Sequence, residues 1–173
     1  MDRGNDRRCV FAPATPADAD ELAAAMREAD RREVALMHGF SPLSAARLSV
    51  EFSEVAFSAR VDGRLHCLFG ALRDSLIDST AAAWMLCTDE PVRNPRTFVA
   101  HCREGLRLLS SSMPDVELFT NFVHAENAAA IRWLVWAGAW FAPASEGRRG
   151  LFGGEFRRFS IDALEAGKES TNV

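Results

Sequence analysis

Three stretches follow one another with short connections: TAAAWMLCT (residues 80–88), NPRTFVAHCREGLRLLSSSM (94–113) and VELFTNFV (116–123). The first is a continuous apolar run of strand length, as expected of a strand buried on both faces of a sheet. The second opens with Asn94 as cap and Pro95 at the first helical position. Phe98, Cys102, Leu106 and Leu109 then recur at helical spacing, giving a helix over Pro95–Ser112. The third is again a strand. A strand–helix–strand crossover makes its two strands parallel, and places them side by side. No other feature limits the fold as much, because the segments around this unit all read as antiparallel.

VAFSARV and RLHCLFGAL meet at Asp62-Gly63, the chain's strongest hairpin signal. WFAPA and LFGGEFRRFSI pair as a closing hairpin around SEGRRG. CVFAPA is a first strand. Thr15, Pro16 and Asp18 then form a helix start, and the apolar face of that helical region continues to Gly39, where it stops. Ser41 caps a further helix. The fold class is therefore α/β: a mixed, mostly antiparallel sheet of six to seven strands with a central parallel pair, flanked by helices. With no repeat and no linker, residues 1–173 read as one domain, with a core over about 10–161 and a polar tail over 164–173.

A chain with 48% apolar and 25% charged residues is globular rather than disordered. Its net charge of -4 argues against a nucleic-acid partner, and the doublets Arg148-Arg149 and Arg157-Arg158 are too short for a basic stripe. Cys9, Cys67, Cys87 and Cys102 form no CxxC and stand at no zinc-finger spacing, so no metal site is expected. They read as small buried hydrophobes of a reducing cytoplasm. The polar start lacks an apolar signal region, and no run is long enough to span a bilayer. A cytoplasmic location is the expectation.

FVHAENAAAIRWLVWAGAWF passes from strand to helix at Asn127 and leaves the helix at Gly138. The Asn127 amide can either bond a ligand or cap free backbone groups. Gly138 suits a left-handed C-cap. Ile131, Leu134 and Val135 are expected to be buried on one side. Trp133, Trp136 and Trp140 should not form one equivalent aromatic surface. A helix so apolar needs cover on its second side, from the N-terminal helices or from a partner subunit in a homo-oligomer.

The element order resembles the GNAT superfamily of acyl-CoA N-acyltransferases, over about residues 10–161. Asn127, Ala130, Trp133-Leu134 and Gly138 match that family's strand–Asn–helix pattern, and APATPADADEL looks like its first strand and helix entry. The resemblance implies acetyl-CoA as acyl donor and an amine as acceptor. Backbone groups of Met85, Leu86 and Cys87 would hold the pantetheine arm between the parallel strands. The pyrophosphate would lie at the N-terminus of the next helix, near Arg93, Asn94 and Arg96, with Asn127 a further cofactor contact. Glu33 becomes a candidate general base, against an ion pair with a neighbouring arginine. His38 and His124 are titratable near neutral pH. Cys87 is a candidate nucleophile without an assignable base.

Two departures from the family weaken the enzymatic expectation. TDEPVRNPRTF contains no glycine where the family's phosphate loop reads Arg/Gln-x-x-Gly-x-Gly/Ala, and Pro95 lacks an N–H. The family's Tyr acid is replaced by Leu134, and the chain contains no Tyr. ADRREV, IRWLVWAGAWF and GEFRRFSI further resemble GNAT-like proteins of phages and prophages, including internal virion proteins of short-tailed phages. That resemblance implies an assembly role with phage virion proteins as partners, and a cytoplasmic protein that is packaged into a virion. An active N-acetyltransferase is the alternative.

Overall fold

The computed structural model describes residues 8–75 and 77–163. The polar tail expected over 164–173 lies outside the described residues. The strands are β1 (Cys9–Pro13), β2 (Val55–Val61), β3 (Arg64–Leu72), β4 (Thr80–Cys87), β5 (Leu118–His124), β6 (Trp140–Phe141), β7 (Arg148–Arg149) and β8 (Glu155–Asp162). The helices are α1 (Pro16–Ala25), α2 (Glu28–His38), α3 (Pro42–Phe52), α4 (Glu90–Arg93), α5 (Pro95–Ser112) and α6 (Ala128–Trp136). One mixed sheet runs β1-β2-β3-β4-β5-β8-β6, with the two-residue β7 also beside β8. β4 and β5 are adjacent and parallel, as the crossover requires, and the other pairings are antiparallel.

Local chemistry explains the element ends. The Thr15 hydroxyl accepts a hydrogen bond from the Asp18 N–H, and the Asp18 carboxylate accepts one from the Thr15 N–H, a complete capping box. Asp62 and Gly63 take φ of 50° and 80°, the pair of left-handed residues that a two-residue hairpin needs. The apolar face expected to continue to Gly39 is broken at Met26 and Arg27, which separates α1 from α2. Two tertiary demands cause the break. Met26 pairs with Thr88 in an isolated bridge, and the Arg27 N–H bonds the Cys87 carbonyl at 2.9 Å. Arg31 then donates to the carbonyls of Ala23, Ala24 and Met26, closing the C-terminus of α1 with a cation.

The sheet has a core on each face. α5 and α6 cover one face, over Phe69, Ala71, Phe119, Phe159 and Ile161. α1 and α3 cover the other, where Leu22, Met26 and Ala46 meet Leu65, Leu68 and Leu86. α6 buries Leu134, with Ile131 and Trp133 half-buried against the core. Val135 was expected to be buried but is 58% exposed, because it projects from the side of α6 opposite the sheet. The N-terminal helices cannot cover it from the other face. Trp136 carries Arg103 over its ring, and Trp140 on the short β6 is exposed, so the three indoles have unlike surroundings. Gly138 takes φ 92°, the left-handed conformation expected of it.

Gly70 shows how closely β2 and β3 approach. A Cβ there would stand 2.4 Å from the Val55 carbonyl oxygen and 3.0 Å from the Trp84 ring. Neither backbone nor a packed indole can yield cheaply. Gly70→Ala is expected to destabilise the fold by about 1–3 kcal/mol in chemical denaturation; an unchanged midpoint would contradict this packing.

Candidate active site

β4 and β5 run together for three residue pairs, Thr80↔Leu118, Ala81↔Phe119 and Ala82↔Thr120, and then part. β5 continues to pair with β8 as far as His124, so β4 is left with an open edge from Ala83 onward. Buried backbone groups along such an edge need other partners. Asn121 reaches back across the gap, its Nδ2 donating to the Ala83 carbonyl at 2.8 Å. At the far end the Cys87 N–H donates to Asp30 Oδ2 at 2.7 Å, and its carbonyl accepts from the Arg27 N–H. Strand alternation then points Met85 to the same open edge. The Met85 N–H and C=O meet no strand partner on that side among the described residues. Leu86 turns its backbone toward β3, with which it is in register opposite Leu68.

α2 lies across the mouth of this gap. Asp30 is buried and is held by Arg27 Nη2 at 2.7 Å as well as by the Cys87 N–H. One turn on, Glu33 faces the same space. Its Oε2 accepts from Asn127 Nδ2 at 2.9 Å, and the His124 backbone N–H also bonds its carboxylate. Burial pushes the Glu33 pKa above the ordinary glutamate value. Nearby Asp30 adds to the rise, while Asn127, the His124 N–H and Arg27 oppose it. The neighbouring arginines do not pair with Glu33: Arg31 caps α1, and Arg32 pairs with Glu126 at 2.7 Å. Asn127 both caps α6, accepting from the Ala130 N–H at 3.2 Å, and fixes Glu33.

The gap opens a cavity of about 320 Å³ lined from both faces of the sheet. Glu33, Met85, Asn121 and Asn127 border it, with largely apolar walls around them. Buried carboxyl, open strand edge and apolar walls suit a ligand that is mostly extended and apolar with one reacting polar centre.

The remaining residues singled out in the sequence are less uniform. Asn94 precedes α5 but makes no capping bond; its Nδ2 donates to Glu90 Oε2 at 3.3 Å. Arg93 lies within 3.5 Å of Glu90 and 3.8 Å of Asp89. The short α4, which the sequence reading missed, brings these groups together. Arg96 is exposed in the first turn of α5. Cys87 is buried and faces Cys67 across β3 and β4. His124 is buried edge-on to Phe156. His38 stacks on Phe40, and partial burial followed by nearby Arg148 lowers its pKa. Asp30, Arg27 and Asn121 were not anticipated. A lone Asn inside the apolar LFTNFV, and Asp30 and Glu33 three apart on one helix face, are the signals that point to them.

The fold as a whole is similar to that of solved acetyltransferases. The chain is similar to a variant of spermidine N-acetyltransferase from Vibrio cholerae, with 14% identity, TM-score 0.64, and coverage of 93% of this chain and 96% of that one. It is similar to the ribosomal-protein-alanine N-acetyltransferase from Brucella melitensis, with 14% identity, TM-score 0.63, and coverage of 88% and 99%. An acetyltransferase of the GNAT family from Streptococcus pneumoniae gives 12% identity, TM-score 0.58, and coverage of 90% and 99%. The chain therefore has the GNAT acetyltransferase fold. No protein-family model matches it, and no curated protein is similar to it in sequence.

Asn127→Ser separates the two roles of that side chain, since serine caps a helix but is too short to reach Glu33. With the Asn127 donor gone, the Glu33 pKa is expected to rise further, read by carbon-13 NMR titration of the carboxyl. A Glu33 titration that stays in place or moves down would contradict the assigned hydrogen bond.

Proposed function

We propose that the protein transfers an acyl group from a coenzyme A thioester to an amine, with Glu33 as general base. The observation that supports this reading most is the pairing of a buried, pKa-raised Glu33 carboxyl with the open Met85 edge inside one cavity. The pantetheine arm is an amide-bearing chain, and the Met85 N–H and C=O can take it as a short extra strand. Leu86 is left out of that contact, because its backbone serves β3. Acetyl-CoA is the donor that the solved acetyltransferases of this fold suggest.

In this mechanism Glu33 takes one proton from the acceptor ammonium and leaves a free amine. The amine nitrogen attacks the thioester carbonyl; the C–N bond forms and the electron pair moves onto oxygen. A backbone N–H of the parted strands stabilises that oxyanion. When the carbonyl re-forms, the C–S bond breaks and the second nitrogen proton passes to the leaving thiolate. With no Tyr in the chain, water is the carrier this reading assigns to that last proton.

The nucleotide end of the donor meets weaker support. Pro95 contributes no N–H, so the first turn of α5 offers an anion one donor fewer than an ordinary helix start. Arg93 and Asn94 are drawn toward Asp89 and Glu90. This favours modest donor affinity. It is also the observation behind a second reading, a non-catalytic GNAT-fold protein in phage or prophage assembly.

Mass-spectrometric assay of the purified chain with acetyl-CoA and a panel of primary amines distinguishes the two. The enzyme reading expects acylated amine and free thiol in equal amounts. Glu33→Gln should lower kcat/KM by about 10²–10⁴-fold. Because the base must be deprotonated and burial raises its pKa, the acidic limb of the rate profile should lie above the ordinary glutamate value. Absence of binding at millimolar ligand by acetyl-CoA and by longer acyl-CoA thioesters alike would overturn the enzyme reading in favour of the assembly one.

A further inference from the structure

We infer that the acyl donor of this site carries an apolar chain of medium length, housed between the sheet and α5. The inference rests on the acyl-transfer reading above and names its donor class.

The cavity does not end where the strands part. It continues under α5, past Cys67 and Phe69 of β3 and Ala59 of β2, to Cys9 of β1, with Cys102 and Gly105 of α5 above it. From β4 to β1 is three strand spacings, roughly 14 Å, the reach of a chain of about ten carbons. The reacting carbonyl would lie at Met85 and Asn121, which border the same cavity, so chain and thioester occupy one continuous space.

Small side chains create this room. The cysteines come together on this face: Cys67 and Cys87 stand opposite each other in register, while Cys9 and Cys102 line the space beside Cys67. Ala59 and Gly105 stand where bulkier residues would close the core. The thiols act as apolar walls rather than nucleophiles. Burial, with Glu104 adding to it, pushes Cys9 up to about 11, and burial pushes Cys102 up to about 12. Protein interiors are close-packed and leave few voids larger than a water. An apolar void of about 150 Å³ already stays dry and admits benzene. A cavity of about 320 Å³ with walls of this kind is the size of a ligand site, and its part under α5 lies beyond the place of an acetyl group held at Met85 and Asn121.

Calorimetric titration of the full chain with acetyl-CoA and decanoyl-CoA tests the inference. Decanoyl-CoA is expected to bind at least tenfold more tightly. Two substitutions narrow the far end of the cavity. Ala59→Leu adds bulk from β2. Gly105→Ala places a methyl 3.4 Å from the Phe11 ring and 3.5 Å from the Phe69 ring, filling space without a clash, so it keeps the test intact should Ala59→Leu fail to fold. Each folded variant should lower the decanoyl-to-acetyl affinity ratio toward one. Equal affinities in the unaltered protein would overturn the acyl-chain inference and leave the transfer reading in place. Failure of both thioesters to bind would overturn the transfer reading, and this inference with it.

Discussion

The open edge of β4 is the constraint on which the rest of the structure depends. Once β4 and β5 separate after Ala82 and Thr120, the backbone groups facing the gap have lost their ladder partners. An unpaired buried backbone group costs about 1–3 kcal/mol, so the edge must be satisfied or left for a ligand. The chain satisfies both ends of it, through Asn121 at Ala83 and through Asp30 and Arg27 at Cys87. Met85 lies between them. The gap is therefore held by specific bonds at its two limits, which makes it a built feature of the sheet rather than a fraying of it.

Those same bonds position the chemistry. Tying Asp30 and Arg27 to the end of β4 breaks the helical region in two and lays α2 across the gap, which brings Glu33 to face Asn127. Asp30 and Glu33 are close in space and in sequence, yet their surroundings differ. Asp30 has an arginine and a backbone N–H as direct partners, whereas Glu33 has an amide and a backbone N–H. A buried carboxylate paired to a cation serves to hold structure. One whose main partner is a neutral amide can exchange a proton more readily. Burial raises the pKa of both carboxyls, and the proposed function assigns the proton transfer to Glu33 because its side-chain partner is uncharged.

Much of the fold was legible in the sequence because local signals agreed with one another. Thr15-Pro16, Ser41-Pro42, Asp62-Gly63 and Gly138 each mark a cap or turn, and the crossover at Pro95–Ser112 settles the direction of its two strands. Tertiary effects were not legible in the same way. The break at Met26-Arg27 is imposed by β4, a segment some sixty residues away in the chain, and no local signal competes with an otherwise continuous helical face. Val135 was misplaced because apolar character says that a side chain favours burial, not that a neighbour exists to bury it. In the site, Asn127 was recognisable from its position between strand and helix. Its partner Glu33 entered through family resemblance, and Asp30, Arg27 and Asn121 emerged only when the strand edge was seen to need partners.

In the proposed function Met85 is the place where a donor joins the sheet. Amide nitrogen-15 shifts of the folded chain, followed on addition of acetyl-CoA, report this directly. The predicted result is a saturable shift at the Met85 N–H, accompanied by shifts at Asn121 and Asn127, with the amide of Leu86 moving less because it stays bonded toward β3. Saturable binding that leaves Met85 unmoved, with shifts confined to the α5 N-terminus, would contradict it.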